Sequence, residues 1–148
     1  MASFKGGAIT LTWPEVFHAA MVGVARRVTS LKHGRQPSNY TQRSQWDIDI
    51  EGAIAESAYG KISGQYWSAS VDTFKTPDVG KTQIRQTVHK NGHLIVRRRD
   101  PHEDYFVLMI GEIKQWLCAG GISGPRARID EYYNSEQDNW YVPQGVLE

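Results

Sequence analysis

Six consecutive residues, Tyr105-Phe106-Val107-Leu108-Met109-Ile110, are apolar or aromatic with no charge among them. Successive side chains of a strand point to opposite faces, so a run without alternation offers neither face to water. The segment is expected to be a central strand buried on both faces. It puts a sheet in the middle of the fold, and the rest of the chain must supply the layers that cover it.

Two helices are expected to contribute. Thr12-Trp13-Pro14-Glu15 has the form of a capping box: Thr12 accepts from the first turn, Glu15 reaches back, and Pro14 is tolerated at a first-turn position. Val16, Phe17, Ala20, Val24, Val28 and Leu31 follow at helical spacing and place a helix over about 13–32. Arg26, Arg27, Lys32 and Arg35 lie in or after its last turns, where cations suit the helix dipole; phosphate contact is the alternative use for them. The polar stretch 34–45 reads as a loop. A second helix is expected over about 47–63, with Ile50, Ala53, Ile54, Ala58 and Ile62 as its apolar stripe and Gly64 as its stop.

The period then shortens toward two. Strand-like runs fall at about 69–74, 82–88, 93–98 and 105–110, and Asn91-Gly92 between two of them predicts a tight hairpin, since both residues accept positive φ. A strand is expected to resume near Trp116–Ala119. Ser123-Gly124-Pro125 opens a short helix reaching about Tyr133, and Trp140–Val142 forms a last strand or strap. The order predicts a mixed α+β (α/β) chain, with a central mixed β-sheet flanked by helices. At 148 residues with one cysteine, Cys118, it is expected to be one domain, 1–148, with an N-terminal helix and loop over 1–45 and a core over 46–148. A lone cysteine excludes an internal disulfide and a thiolate-rich zinc site, and with no secretory pattern and no membrane-length apolar run the expected location is the cytoplasm.

Charge is distributed in blocks. Residues 1–45 carry six Lys or Arg against one Glu, residues 46–80 six acids against two bases, residues 81–99 six bases and no acid, and residues 100–148 nine acids against three bases. An acidic cluster beside basic blocks suits a site for a metal and a polyanion; solvated surfaces of alternating sign have the same pattern. Lys81, Lys90, Arg97, Arg98 and Arg99 are the candidate nucleic-acid contacts, the alternative for the arginine triplet being a solvated strand end. Tyr66-Trp67 and Tyr132-Tyr133 are candidates for base stacking or a dimer contact. His89, His93 and His102 follow no zinc-ligand spacing.

The chemistry concentrates between the second helix and the first long strand. Glu56 lies on the helix, Asp78 in the turn Pro77-Asp78-Val79-Gly80, and Gln83 and Arg85 on the strand, where alternation points them the same way and Ile84 the other. Asp78 offers a hard oxygen, Gln83 a carbonyl and Arg85 a cation, which suits Mg²⁺ or Mn²⁺ and a phosphodiester. Glu56 also has a plain reading, an ion pair with Lys61 or an arginine.

In these segments the chain resembles the PD-(D/E)xK nuclease superfamily, and in particular small phage-encoded proteins of that kind. The resemblance rests on Gly52-Ala53-Ile54-Ala55-Glu56, Asp78-Val79-Gly80, Gln83-Ile84-Arg85, Leu94-Ile95-Val96-Arg97 and Phe106-Val107-Leu108. It covers about 46–120 and implies a restriction-endonuclease-like core with an extra N-terminal helix. It also implies Mg²⁺-assisted hydrolysis of DNA, with Glu56, Asp78 and Gln83 as metal positions and Arg85 in the place of the usual catalytic Lys. Gln83 there removes a negative charge, and Arg85 stays protonated and cannot act as a base, so Lys81 or Lys75 would have to substitute. The alternative expectation is a catalytically inactive protein on the same scaffold that binds nucleic acid or inhibits a host protein. A homodimer is compatible with either.

Overall fold

The computed structural model describes residues 3–35, 43–71 and 77–148. Lys75, most of the 34–45 loop and the second half of the 69–74 run lie outside them.

Strand β1 (Ala8–Thr10) leads into α1 (Trp13–Lys32) and α2 (Gln45–Ser63). The capping box forms as expected: Glu15 N–H donates to Thr12 Oγ1 at 3.3 Å and Thr12 N–H to Glu15 Oε1 at 2.8 Å. Gly64 ends α2 at φ 69°, a left-handed position that costs glycine little. Then follow β2 (Thr82–Thr87), β3 (Leu94–Arg97), β4 (Tyr105–Glu112), β5 (Gln115–Ser123), α3 (Gly124–Ala127), β6 (Tyr133–Asn134) and β7 (Asn139–Val142). None of the helices among the described residues is long and apolar enough to cross a membrane.

The central sheet has the order β1-β5-β4-β2 and is mixed: β2 runs parallel to β4, while β5 runs antiparallel to both β4 and β1. β4 is interior, and its apolar run divides between two cores. Val107 and Met109 join Ile54, Ala55, Ala58 and Tyr59 of α2 on one face, and Phe106 and Leu108 join Leu94, Val96, Ile122 and Val142 on the other. Helices α1 and α2 cover the first face. The second is covered by a small antiparallel sheet, β3-β7-β6, together with the single turn of α3.

Several sequence expectations are corrected. Asn91-Gly92 does not make a two-residue hairpin. Gly92 N–H closes a turn onto the His89 carbonyl at 3.0 Å, and neither Asn91 nor Gly92 takes a positive φ. Without those two positive φ values the chain does not reverse alongside β2. It crosses to the second layer, where fully buried Leu94 and Val96 bring β3 against β7. Residues 69–71 are not strand, and Ala69 sits at φ 55°. The helix after Ser123 ends at Ala127, a 3-10 turn follows over Asp130–Tyr132, and β6 is an unforeseen short strand. On α1 the buried positions are Ala19, Val22, Gly23 and Arg27, whereas Phe17, Val28 and Leu31 of the apolar set face solvent.

Candidate functional site

Glu56 lies on the buried side of α2 and meets α1. Arg26 donates to it through both terminal nitrogens, Nη1 to Oε2 at 2.7 Å and Nη2 to Oε1 at 2.9 Å. Trp67 Nε1 adds a third donor to Oε1 at 3.1 Å, and Arg26 Nε reaches the Ser70 carbonyl at 2.9 Å. A two-pronged guanidinium–carboxylate contact is geometrically specific and holds both charges where water is scarce. Arg26 therefore neutralises Glu56, and its neighbour Arg27 is turned inward toward Asp49 at 3.7 Å. The ion pair with an arginine is the reading of Glu56 that the geometry bears out.

Asp78 is brought in by the Val79-Gly80 turn. Val79 and Thr82 exchange backbone hydrogen bonds of 3.0 and 2.9 Å, and Gly80 takes φ +57° with Gln65 Oε1 packed where a Cβ would stand. The turn folds Asp78 back along the free edge of β2, where its Oδ2 accepts from Ile84 N–H at 2.7 Å. Burial raises the Asp78 pKa to about 7, and the nearby negative charge of Glu56 adds to the shift; the Ile84 hydrogen bond and the charges of Arg85 and Arg26 oppose it.

Gln83 and Arg85 do point the same way, but away from Glu56. Ile84 belongs to the helix-side core, and strand alternation then sends its two neighbours to the other face. The parallel register sets Gln83 beside Phe106 and Arg85 beside Leu108. There Gln83 Nε2 donates to Asp104 Oδ2 at 2.9 Å. Arg85 donates from Nε to the Ile95 carbonyl at 3.0 Å and from Nη2 to Asp100 Oδ2 at 2.5 Å, with its guanidinium 5.1 Å from the Phe106 ring centre. The four residues thus divide: Glu56 on the helix side, Gln83 and Arg85 on the small-sheet side, and Asp78 at the edge between.

For a metal, the described residues of this arrangement supply two acids. Mg²⁺ takes one or two carboxylates and completes its shell with water and phosphate oxygens. Glu56 and Asp78 meet that number, but both Glu56 oxygens already accept from Arg26, and Gln83 faces the wrong layer to be a third ligand. Among the described residues no cluster of three or more His, Cys, Asp or Glu side chains converges to hold an ion.

The cations assemble instead on the small-sheet side. Arg128 Nη2 donates to the Asp100 carbonyl at 2.7 Å, and its guanidinium lies 5.9 and 5.6 Å from the Phe106 and Trp140 ring centres. Asp100 Oδ2 also accepts from the Arg97 N–H at 2.7 Å, so this one carboxylate organises Arg85, Arg97 and the loop that follows β3. Arg97 is half-buried; desolvation pulls its guanidinium pKa down to about 10, with Arg85 and Arg99 pushing the same way and Asp100 opposing. Among the described residues no carboxylate lies within ion-pair distance of the Arg97 or Arg99 guanidinium. Arg98 is different, since it is tied to Asp138 at 2.8 Å and packs 5.5 Å from the Trp140 ring centre. Lys81 and Lys90 are exposed in turns at either end of β2.

Several of these residues escaped sequence reasoning. Arg26 had two uses open, the helix terminus or a phosphate, and its partner is Glu56. Trp67, a stacking candidate, spends its N–H on Glu56, whereas Tyr66 is 86% exposed. Tyr133 O–H donates to Asp138 at 2.6 Å. Arg128, Asp100 and Asp104 come from loops remote in sequence, and no local pattern marks them. No protein-family model, curated protein or solved structure matches the chain.

Proposed function

We propose that the chain is a nucleic-acid-binding protein that contacts phosphates through the arginine corner at the end of β3, and that DNA is its partner. The observation that carries this reading is Arg97. A half-buried guanidinium with its pKa pulled down by burial and by two neighbouring arginines, and with no carboxylate in ion-pair range among the described residues, is an electropositive position that an anion would relieve. Arg99 extends the corner outward, while Arg85 backs it from β2 through the Asp100 carboxylate and Arg128 from the end of α3 through the Asp100 carbonyl. Of the two readings the sequence suggested, the non-catalytic one fits the engaged Glu56 and the divided Gln83 and Arg85 better.

Binding of a labelled DNA duplex in EDTA should persist and weaken steeply with salt. Arg97→Ala and Arg99→Ala each remove one cation from the phosphates, and each should flatten the log–log salt slope by about one. Absence of binding at low salt, or binding that these substitutions leave unchanged, would overturn the proposal.

A second reading, Mg²⁺- or Mn²⁺-dependent DNA hydrolysis, is favoured by one feature: two acids, Glu56 and Asp78, close enough that one raises the pKa of the other. Nicking of supercoiled plasmid with either ion, abolished by Asp78→Asn, would support it. DNA binding without nicking leaves the first reading in place.

A further inference from the structure

The helix α1 turns its two arginines inward and a stripe of large apolar side chains outward. Arg26 and Arg27 are committed to Glu56 and Asp49, while Trp13, Phe17, Met21, Val28 and Leu31 are 62, 68, 55, 49 and 57% exposed. A helix on the surface of a monomer has the opposite polarity. These five side chains leave on the order of 600 Å² open to solvent, at the top of the roughly 300–600 Å² spanned by the largest apolar patch of a typical monomer, a patch that is often functional.

We infer that this face pairs with the same face of a second copy of the chain, the two α1 helices lying antiparallel across a two-fold axis near Met21 and Val24. Three observations select this occupant. The first is self-complementarity. The stripe reads nearly the same in both directions, so an antiparallel partner sets Phe17 of one copy against Val28 of the other, and Met21 against Val24. An isologous contact requires that each patch match itself in this way. The second is charge. Antiparallel packing lays the positive end of one helix dipole beside the negative end of the other; Glu15 takes no part, being paired with Lys61 of α2 at 2.7 Å and lying about half a turn round the helix from Phe17. A lipid surface or a nucleic acid would call for a continuous basic flank; here Lys114, 4.7 Å from the Trp13 ring, and Lys32 stand at opposite ends of the stripe, and the two arginines between them are turned inward. The third is size. The exposed area, on the order of 600 Å², is about three quarters of the roughly 800 Å² per partner of a standard stable interface, and α1 is about 30 Å long, enough for a continuous helix–helix seam.

The surface is separate from the arginine corner, so the inference stands whether or not nucleic acid is bound. Sedimentation velocity of the full chain at micromolar concentration should give a dimer. The double variant Phe17→Asp with Val28→Asp should raise the dissociation constant at least about 100-fold and sediment as a monomer, with an unchanged circular dichroism spectrum because both positions are exposed. Met21→Cys should form a covalent dimer with a bis-maleimide spanning about 10 Å, as expected of packed helix axes 8–10 Å apart; Cys118, 2% exposed, stays out of the reaction. A wild-type monomer, a dimer indifferent to the double aspartate, or a monomer that instead floats with phosphatidylcholine vesicles would each overturn the pairing.

Discussion

Arg26 reaches from α1 to Glu56 on α2, and that contact decides what the buried carboxylate can do. Two charges in a place of low dielectric are tolerable only when paired and hydrogen-bonded, and here Trp67 completes the set. Asp78 beside them has no such counter-charge in direct contact among the described residues and holds its proton to about pH 7. Its folded pKa lies above the unfolded value of 3.8, so the folded state binds the extra proton, and stability from this group is lost as pH rises toward 7. Urea unfolding of the wild type should show about 2–3 kcal/mol less stability at pH 8 than at pH 5 from this source. Asp78→Asn, which keeps an acceptor for Ile84 N–H, should remove that part of the difference; an undiminished pH dependence in the variant would refute the assignment. The sequence marked Glu56, Asp78, Gln83 and Arg85 as the polar residues worth following, and it foresaw an arginine as one possible partner for Glu56. It could not say which arginine, because residues 26 and 56 are joined by packing and not by any local spacing.

The elements were the most legible level, since caps and periodicities act over a turn or two. The Thr12–Glu15 box starts α1 and Gly64 stops α2, as the residues themselves indicate. How two such elements meet depends on details that composition hides. Gly23 is a point where α1 approaches the α2 backbone closely, and a Cβ there would stand 2.4 Å from Ile50 Cα. Alanine is the better helix former by roughly 1 kcal/mol, so intrinsic propensity alone predicts that Gly23→Ala stabilises. Because the obstructing atoms are backbone, the opposite outcome is expected: a loss of about 1–3 kcal/mol in chemical denaturation as the helices are forced apart. Stabilisation by Gly23→Ala would mean that α1 and α2 have room to spare at this crossing. The Asn91-Gly92 turn teaches the same lesson from the strand side. Its residues permit a hairpin, but Leu94 and Val96 gain a fully buried position only by leaving β2 for the second layer.

At the scale of the whole molecule, β4 is shared by two hydrophobic cores, with Val107 and Met109 serving the helix side and Phe106 and Leu108 the small-sheet side. Damage on one face should therefore be felt on the other. Leu108→Ala is expected to cost about 2–5 kcal/mol and Val107→Ala somewhat less. In both, far-ultraviolet dichroism and tryptophan fluorescence should lose signal in one coincident transition; two separated transitions would show that the layers unfold independently. The uninterrupted run from Tyr105 to Ile110 was enough by itself to require a strand with protein on both faces, because alternation leaves such a run no wet side. The caps of the helices and the joint orientation of Gln83 and Arg85 followed from the sequence in the same way, through rules that operate between near neighbours. Only the tertiary structure decided that one covering layer is a sheet, that Ile84 claims the helix-side core and so turns Gln83 and Arg85 from Glu56, and that Arg26 closes Glu56 while Arg97 stays without a carboxylate in ion-pair range among the described residues. Each of those outcomes depends on which face of an element finds burial and on contacts between residues far apart in the chain, and no local pattern carries that information.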